Sequence, residues 1–159
     1  MTAINWLING LVAMAPVLTM LLALRSLDSF KLVPFNLILW MLLWGGCSAV
    51  AAYGLGALVL SQIPIDFTVY SRYAAPLIEE ALKATALIWL IQRNRVGFFV
   101  DAAILGFVLG AGFALVENSY YLANNELTLG VWLVRGFGTA VMHGGGTAVV
   151  GIMVLAATD

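Results

Sequence analysis

Long apolar stretches alternate with short polar breaks along the whole chain. Five stretches stand out, at about 3–24, 33–60, 74–91, 97–123 and 130–157. Each is near or above the roughly 20 residues that carry a helix across about 30 Å of hydrocarbon. The runs are continuous and lack the in–out alternation of barrel strands. In lipid a backbone N–H or C=O finds no water, so a continuous apolar run must satisfy its own hydrogen bonds as a helix. The pattern predicts an all-α fold, a polytopic membrane helix bundle of about five transmembrane helices. No internal repeat or low-complexity linker divides it, so residues 1–159 read as a single integral membrane domain.

The breaks hold most of the charge. They contain Arg25, Asp28 and Lys31, then Asp66 and Arg72, then Arg93 and Arg95, then Glu126. Short loops rich in Lys and Arg stay cytoplasmic. The first and third connections carry the basic excess, which predicts an N-terminus outside and a C-terminus inside. Residues 1–24 contain no Lys or Arg. They lack the basic start of a cleavable signal peptide and read as a retained first span.

Composition closes off other classes. Hydrophobic residues make up 63% of the chain and charged ones 9%, against about 25% charged in ordinary soluble domains. Mean hydropathy is +1.03. No soluble fold accounts for that. A net charge of −1 gives no basic surface for nucleic acid or for anionic headgroups. The lone Cys47 has no intrachain disulfide partner.

Against this background a few polar residues inside the spans carry the chemical interest. Ala75-Pro76-Leu77-Ile78-Glu79-Glu80-Ala81-Leu82-Lys83 takes two adjacent carboxylates into an apolar helix. A charge in hydrocarbon costs at least about 2.5–3.5 kcal/mol, so these groups need partners, water or a function. A bland account exists: Pro76 opens the helix, the acids complement its dipole, and Lys83 pairs with Glu79 at i+4. In the fourth stretch Gly106 and Gly110 form a small-xxx-small pair, and the helical period brings Glu117 to nearly the same face. Asp101 suits the start of that helix. The fifth stretch holds Arg135, Thr139 and the only histidine, His143, followed by Gly144-Gly145-Gly146. Thr139, His143 and Gly146 share a helical face, and three glycines in a row suit a close backbone approach. Gly45, Ala49, Ala52 and Gly56 form a small-residue stripe that predicts tight helix packing.

Depth links these positions. With the N-terminus outside, Glu79, Glu80 and Glu117 lie roughly 8–10 Å below the outer edge, and His143 roughly 12–20 Å below it. Three helices thus bring acids and an imidazole to one level in the outer half. A carboxylate in such a pocket can act as a general base toward water. Glu and His are also Zn²⁺ ligands, although no soluble zinc motif such as His-Glu-x-x-His is present.

Taken in order, three stretches resemble the PrsW family of intramembrane proteases: the Glu79-Glu80-x-x-Lys83 segment, Phe113-x-x-x-Glu117-Asn118, and Arg135 followed by His143. The resemblance covers about residues 72–151. The family is similar to the CAAX prenyl endopeptidases and to bacteriocin-processing membrane proteins, and more distantly to the Aph-type scaffold of γ-secretase. It implies cleavage of a membrane-associated protein near its extracytoplasmic side, an anti-sigma-factor-like single-pass protein being the typical substrate, in the cell membrane of a prokaryote. By the same resemblance Glu79 or Glu80 activates water, Glu79 being the stronger candidate. Glu117 and His143 hold a metal, Zn²⁺ being the candidate, or position water and substrate. Lys83, Asn118, Arg135 and Thr139 support the site.

Members of the family carry a further histidine on a later helix, and His143 has no second histidine beside it in this sequence. That leaves a second reading, a non-catalytic membrane scaffold whose ionisable groups join helices. A third, a small ion or proton carrier, expects polar groups through both leaflets. Here they gather in one.

Overall fold

The computed structural model describes residues 3–27, 33–124 and 128–158. Asp28, Lys31 and Glu126, read above as loop charges, lie outside the described residues, as does the side chain of Arg25. The described chain is helical, in five rods: α1 (Ala3–Leu27), α2 (Phe35–Gln62), α3, α4 (Phe99–Asn124) and α5. The third rod, α3, runs unbroken through Phe67–Val69, a π-helical turn Tyr70–Ala74, and Ala75–Gln92. The fifth, α5, does the same through Leu129–Thr139, a π-helical stretch Ala140–Gly145, and Gly146–Ala156.

Local chemistry sets the ends. Pro34, with φ −67° and ψ 144°, stands as the extended cap before α2. Ile63 ends it because Pro64 follows, and a residue before proline is pushed out of the helical region. Asp66 caps α3, its carboxylate accepting from the N–H groups of Thr68 (2.8 Å) and Val69 (3.3 Å). Those two donors hold the Asp66 carboxyl below its ordinary range. At the other end Asn94 takes a left-handed φ of 53°. Its N–H bonds to the Ile91 carbonyl and that of Arg95 to the Leu90 carbonyl, closing a Schellman turn.

Two expectations about helix register are corrected here. The first concerns Pro76, expected at a helix start. The helix begins nine residues earlier at Phe67, and the π turn just ahead of Pro76 absorbs the hydrogen bond that a proline cannot donate. Glu79 and Glu80 are therefore interior to α3, and a helix-end dipole does not account for them. The second concerns Gly146, expected to share a face with Thr139 and His143. The π stretch adds a residue to the turn, Gly146 is left exposed, and Thr147 is buried in its place.

The central helix is α4. Residues from Ala102 to Ala114 are almost continuously buried, and α1, α2, α3 and α5 pack around it. Small residues make the approach possible. A Cβ on Gly45 would overlap the Leu109 carbonyl, and one on Gly112 the Leu42 carbonyl, so α2 and α4 meet backbone to backbone. Ala49 and Ala52 close over Phe113, and Gly56 leaves room for the Tyr70 ring. The stripe read in the sequence is a packing face.

The outer surface is apolar. Leu11, Leu22, Trp40, Val134 and Met142 each expose more than half of their area, which water would not tolerate over such an extent. Three helices, Phe35–Gln62, Phe99–Asn124 and Leu129–Ala156, are long and apolar enough to cross a membrane. Among the described residues of α1 the apolar segment is Leu7–Ala23, and α3 carries Glu79, Glu80 and Lys83 in its middle. The five stretches of the sequence are thus five helices, three of which meet the criterion for a span outright.

Candidate active site

Lys83 is the centre of the polar interior. It is fully buried, and its ammonium lies 2.7 Å from Glu80 Oε1 and 2.8 Å from His143 Nδ1. Its Nζ also stands 3.9 Å from the centre of the Phe113 ring, whose π face attracts a cation. The expected i+4 pair with Glu79 is not the one formed. Lys83 bonds to Glu80 at i+3 because that carboxylate faces α5, where Thr147 donates to its other oxygen at 2.9 Å. Both oxygens of Glu80 are thus engaged.

The histidine tautomer follows from its neighbours. An ammonium has only donors, so Nδ1 of His143 must accept, and the ring proton resides on Nε2. That Nε2–H donates to Glu117 Oε2 at 3.0 Å. The ring also stacks against Phe113, with centroids 4.7 Å apart. The opposite oxygen of Glu117 pairs with Arg135 at 3.0 Å, approached off the N–H direction. Arg135 lies flat against Tyr121, 3.5 Å from its ring centre. A continuous chain of hydrogen bonds and ion pairs results: Glu80, Lys83, His143, Glu117, Arg135.

Glu79 stands apart from this chain. It is half-buried and within electrostatic reach of His143 and Lys83, yet makes no hydrogen bond or ion pair among the described residues. It is the one carboxylate of the cluster with both oxygens unengaged.

Asn118 and Thr139 form a second layer. The Asn118 amide donates to Thr139 Oγ1 at 3.0 Å and to the Ala13 carbonyl of α1 at 3.1 Å. The Thr139 hydroxyl in turn donates a hydrogen bond to the Arg135 carbonyl at 2.8 Å. This layer ties α1, α4 and α5 together just beside the charged groups. Asn118→Leu is expected to lower stability by about 0.6–2 kcal/mol, read as a fall in the thermal midpoint of the detergent-purified protein.

All eight residues singled out in the sequence therefore lie in or against one cluster. Thr147, Tyr121 and the Ala13 carbonyl are members the sequence did not single out. Thr147 could have been found only by allowing for the extra residue of the π stretch. The carbonyl of Ala13 carries no side-chain signal at all. Cys47, exposed on α2, takes no part, and Asp101 sits in the first turn of α4.

The fold and cluster define a class: an integral membrane helix bundle with a buried carboxylate–lysine–histidine centre shared by three helices. The particular family follows from the sequence. A family model described as "PrsW family intramembrane metalloprotease" matches residues 33–159, and the chain belongs to that family. No curated protein and no solved structure matches it.

The family description implies a metal, and the donor set can be tested for fit. As arranged it does not fit. No group of three His, Cys, Asp or Glu side chains among the described residues is placed to hold an ion. Both nitrogens of His143 are committed, and the Lys83 ammonium occupies the space between Glu80 and His143.

Proposed function

We propose that this membrane protease-family protein is an intramembrane endopeptidase that cleaves membrane-associated protein substrates with carboxylate-activated water, Glu79 being the base. The observation that carries this reading is the unengaged Glu79 carboxylate beside a fully paired Lys83–His143–Glu117 chain. A general base must have a free oxygen to take the proton of water. Each oxygen of Glu80 already accepts a bond, one from Lys83 and one from Thr147, which draws its charge toward α5 and away from water.

In the step this allows, Glu79 accepts a proton as the water oxygen bonds to the scissile carbonyl carbon. The carbonyl oxygen becomes an oxyanion, stabilised by the positive charge of Lys83 in a low-dielectric pocket. Collapse breaks the C–N bond, and the proton on Glu79 passes to the leaving amine. His143 and Glu117 keep Lys83 and Arg135 in place. Asn118 and Thr139 keep α4 and α5 in register. Zn²⁺, read from the Glu and His content and from the family description, enters none of these steps because its donors are otherwise engaged.

A single-pass protein cut near its extracytoplasmic side, of the anti-sigma-factor kind, is the substrate class this reading favours. The setting would be a prokaryotic cell membrane with the N-terminus outside. Two measurements test it. In proteoliposomes a single-pass reporter is expected to be cut once near its outer boundary, with the product mass locating the bond. Gln62→Cys is expected to react with impermeant maleimide from outside and Asn94→Cys only after permeabilisation, both in a Cys47→Ser background. The reverse labelling would place the site in the inner half.

The scaffold reading keeps one observation in its favour. Every charged group of the cluster except Glu79 has a partner, as interhelical glue would. It predicts no cleavage of any reporter and no effect of Glu79→Gln on partner binding.

A further inference from the structure

Glu79 and Glu80 are chemically identical neighbours, and Lys83 is within helical reach of both, at i+4 and i+3. Yet the ammonium lies 2.7 Å from Glu80 Oε1, while Glu79 makes no hydrogen bond or ion pair among the described residues. Nothing on their own helix separates the two acids. Thr147 does. Its side chain is fully buried on α5, and its hydroxyl donates to Glu80 Oε2 at 2.9 Å. The hydroxyls of Ser48, Thr85 and Ser119 bond back to carbonyls three or four residues earlier in their own helices, a common outlet for a hydroxyl within a helix. Thr147 instead crosses to another helix.

We propose that Thr147 is a positioning residue that assigns the adjacent carboxylates their tasks, fixing Glu80 as the counter-ion of Lys83 and thereby leaving Glu79 free to take a proton from water. With a buried hydroxyl on one oxygen and an ammonium on the other, the Glu80 carboxylate has a fixed direction. His143 Nδ1, 2.8 Å from Nζ, holds the ammonium on the same side. Remove the hydroxyl and Glu80 keeps one bond, with 31% of its side chain exposed. It can then rotate, and Lys83 meets two carboxylates of equal reach. Each acid is engaged part of the time and each is free part of the time. The consequence for cleavage rests on Glu79 being the base; the tie between Thr147 and Glu80 does not.

The tie is read without cleavage by treating the full chain in detergent with dicyclohexylcarbodiimide and locating the adduct by peptide fragmentation. This reagent reaches carboxyls in apolar surroundings and reacts where an oxygen is unengaged. Wild-type protein is expected to carry the label on Glu79 and to spare Glu80. Thr147→Val keeps the side-chain shape and loses the hydroxyl, and is expected to carry label on both. Thr147→Ala should do the same, and Thr147→Ser should restore the wild-type pattern. In proteoliposomes Thr147→Val is expected to cleave a single-pass reporter more slowly than the wild type. Glu79→Gln, which costs about 10²–10⁴-fold in the wild-type background, is expected to cost at least about tenfold less when added to Thr147→Val, because Glu80 then shares the work of the base. A residue that only held the helices together would give additive losses.

Wild-type protein with no label on Glu79, or with as much on Glu80, would overturn the proposal. So would folded Thr147→Val and Thr147→Ala proteins in which Glu80 is still spared. Failure of both variants to fold would make the hydroxyl a requirement of the fold and would overturn it as well. Expected labelling in a protein that cuts no reporter would remove the protease reading and leave the assignment of the two acids standing. Cleavage by a protein labelled equally at both acids would do the opposite.

Discussion

Replacing Glu79 with glutamine is expected to stop cleavage while leaving the fold intact. The side chain makes no hydrogen bond or ion pair among the described residues, so the amide breaks nothing. Removing a general base lowers the rate by about 10²–10⁴-fold. The two measurements are the cleavage rate of a single-pass reporter in proteoliposomes and the thermal midpoint of the purified protein. Glu80→Gln gives the contrast. It strips the buried Lys83 ammonium of its carboxylate, and breaking a buried ion pair costs about 3–5 kcal/mol. That variant is expected to unfold at a clearly lower temperature. The endopeptidase reading of the sequence expects both changes to spare the fold and abolish cleavage, and unfolding on either to favour the scaffold; the buried pair with Lys83 instead makes a loss of stability in Glu80→Gln the expected result under either reading. A Glu79→Gln protein that is folded and still cleaves at the wild-type rate would remove Glu79 from the mechanism.

Gly110→Ala is expected to lower stability sharply. The added Cβ would overlap the His143 carbonyl and lie 2.7 Å from the Gly144 nitrogen. The obstacle is backbone, which has no rotamer through which to retreat. Overpacking a core typically costs about 1–3 kcal/mol, and more when nothing can give. Pushing α4 from α5 at this point also separates Glu117 from His143, so the little protein that folds is expected to be inactive. Gly145→Ala is the control. Nothing lies within 4 Å of a Cβ there, and alanine favours helix over glycine by up to about 1 kcal/mol. Thermal midpoints of the two variants should move in opposite directions. Equal behaviour would mean that the α4–α5 contact is looser than the structure describes.

The family match extends from residue 33 to residue 159 and so leaves out α1. Yet α1 takes part in the site through one backbone atom, the Ala13 carbonyl that holds Asn118. A carbonyl can be supplied by almost any residue. The contribution of α1 therefore makes little demand on which side chains it carries.

The class, the helices and the eight candidate residues that gather in the cluster were legible in the sequence alone. Apolar runs of this length have one backbone solution in lipid. In a chain that is only 9% charged, each buried charge stands out and must have a purpose. Motif order and helical rise already predict that Glu79, Glu80, Lys83, Glu117 and His143 meet at one level of the bundle, and the structure brings them into one cluster. Pairing within the site was decided by the tertiary structure. Glu79 and Glu80 both lie within reach of Lys83, at i+4 and i+3, and local spacing cannot choose between them. The choice falls to α5, whose Thr147 and His143 stand on the Glu80 side. The facing of α5 depends in turn on a π stretch that no residue type specifies. It is stable because Gly110 and Gly106 let the two backbones touch at His143 and Thr147. Composition and period fix which residues are buried together, but hydrogen-bond partners depend on a few degrees of helix rotation that only packing sets.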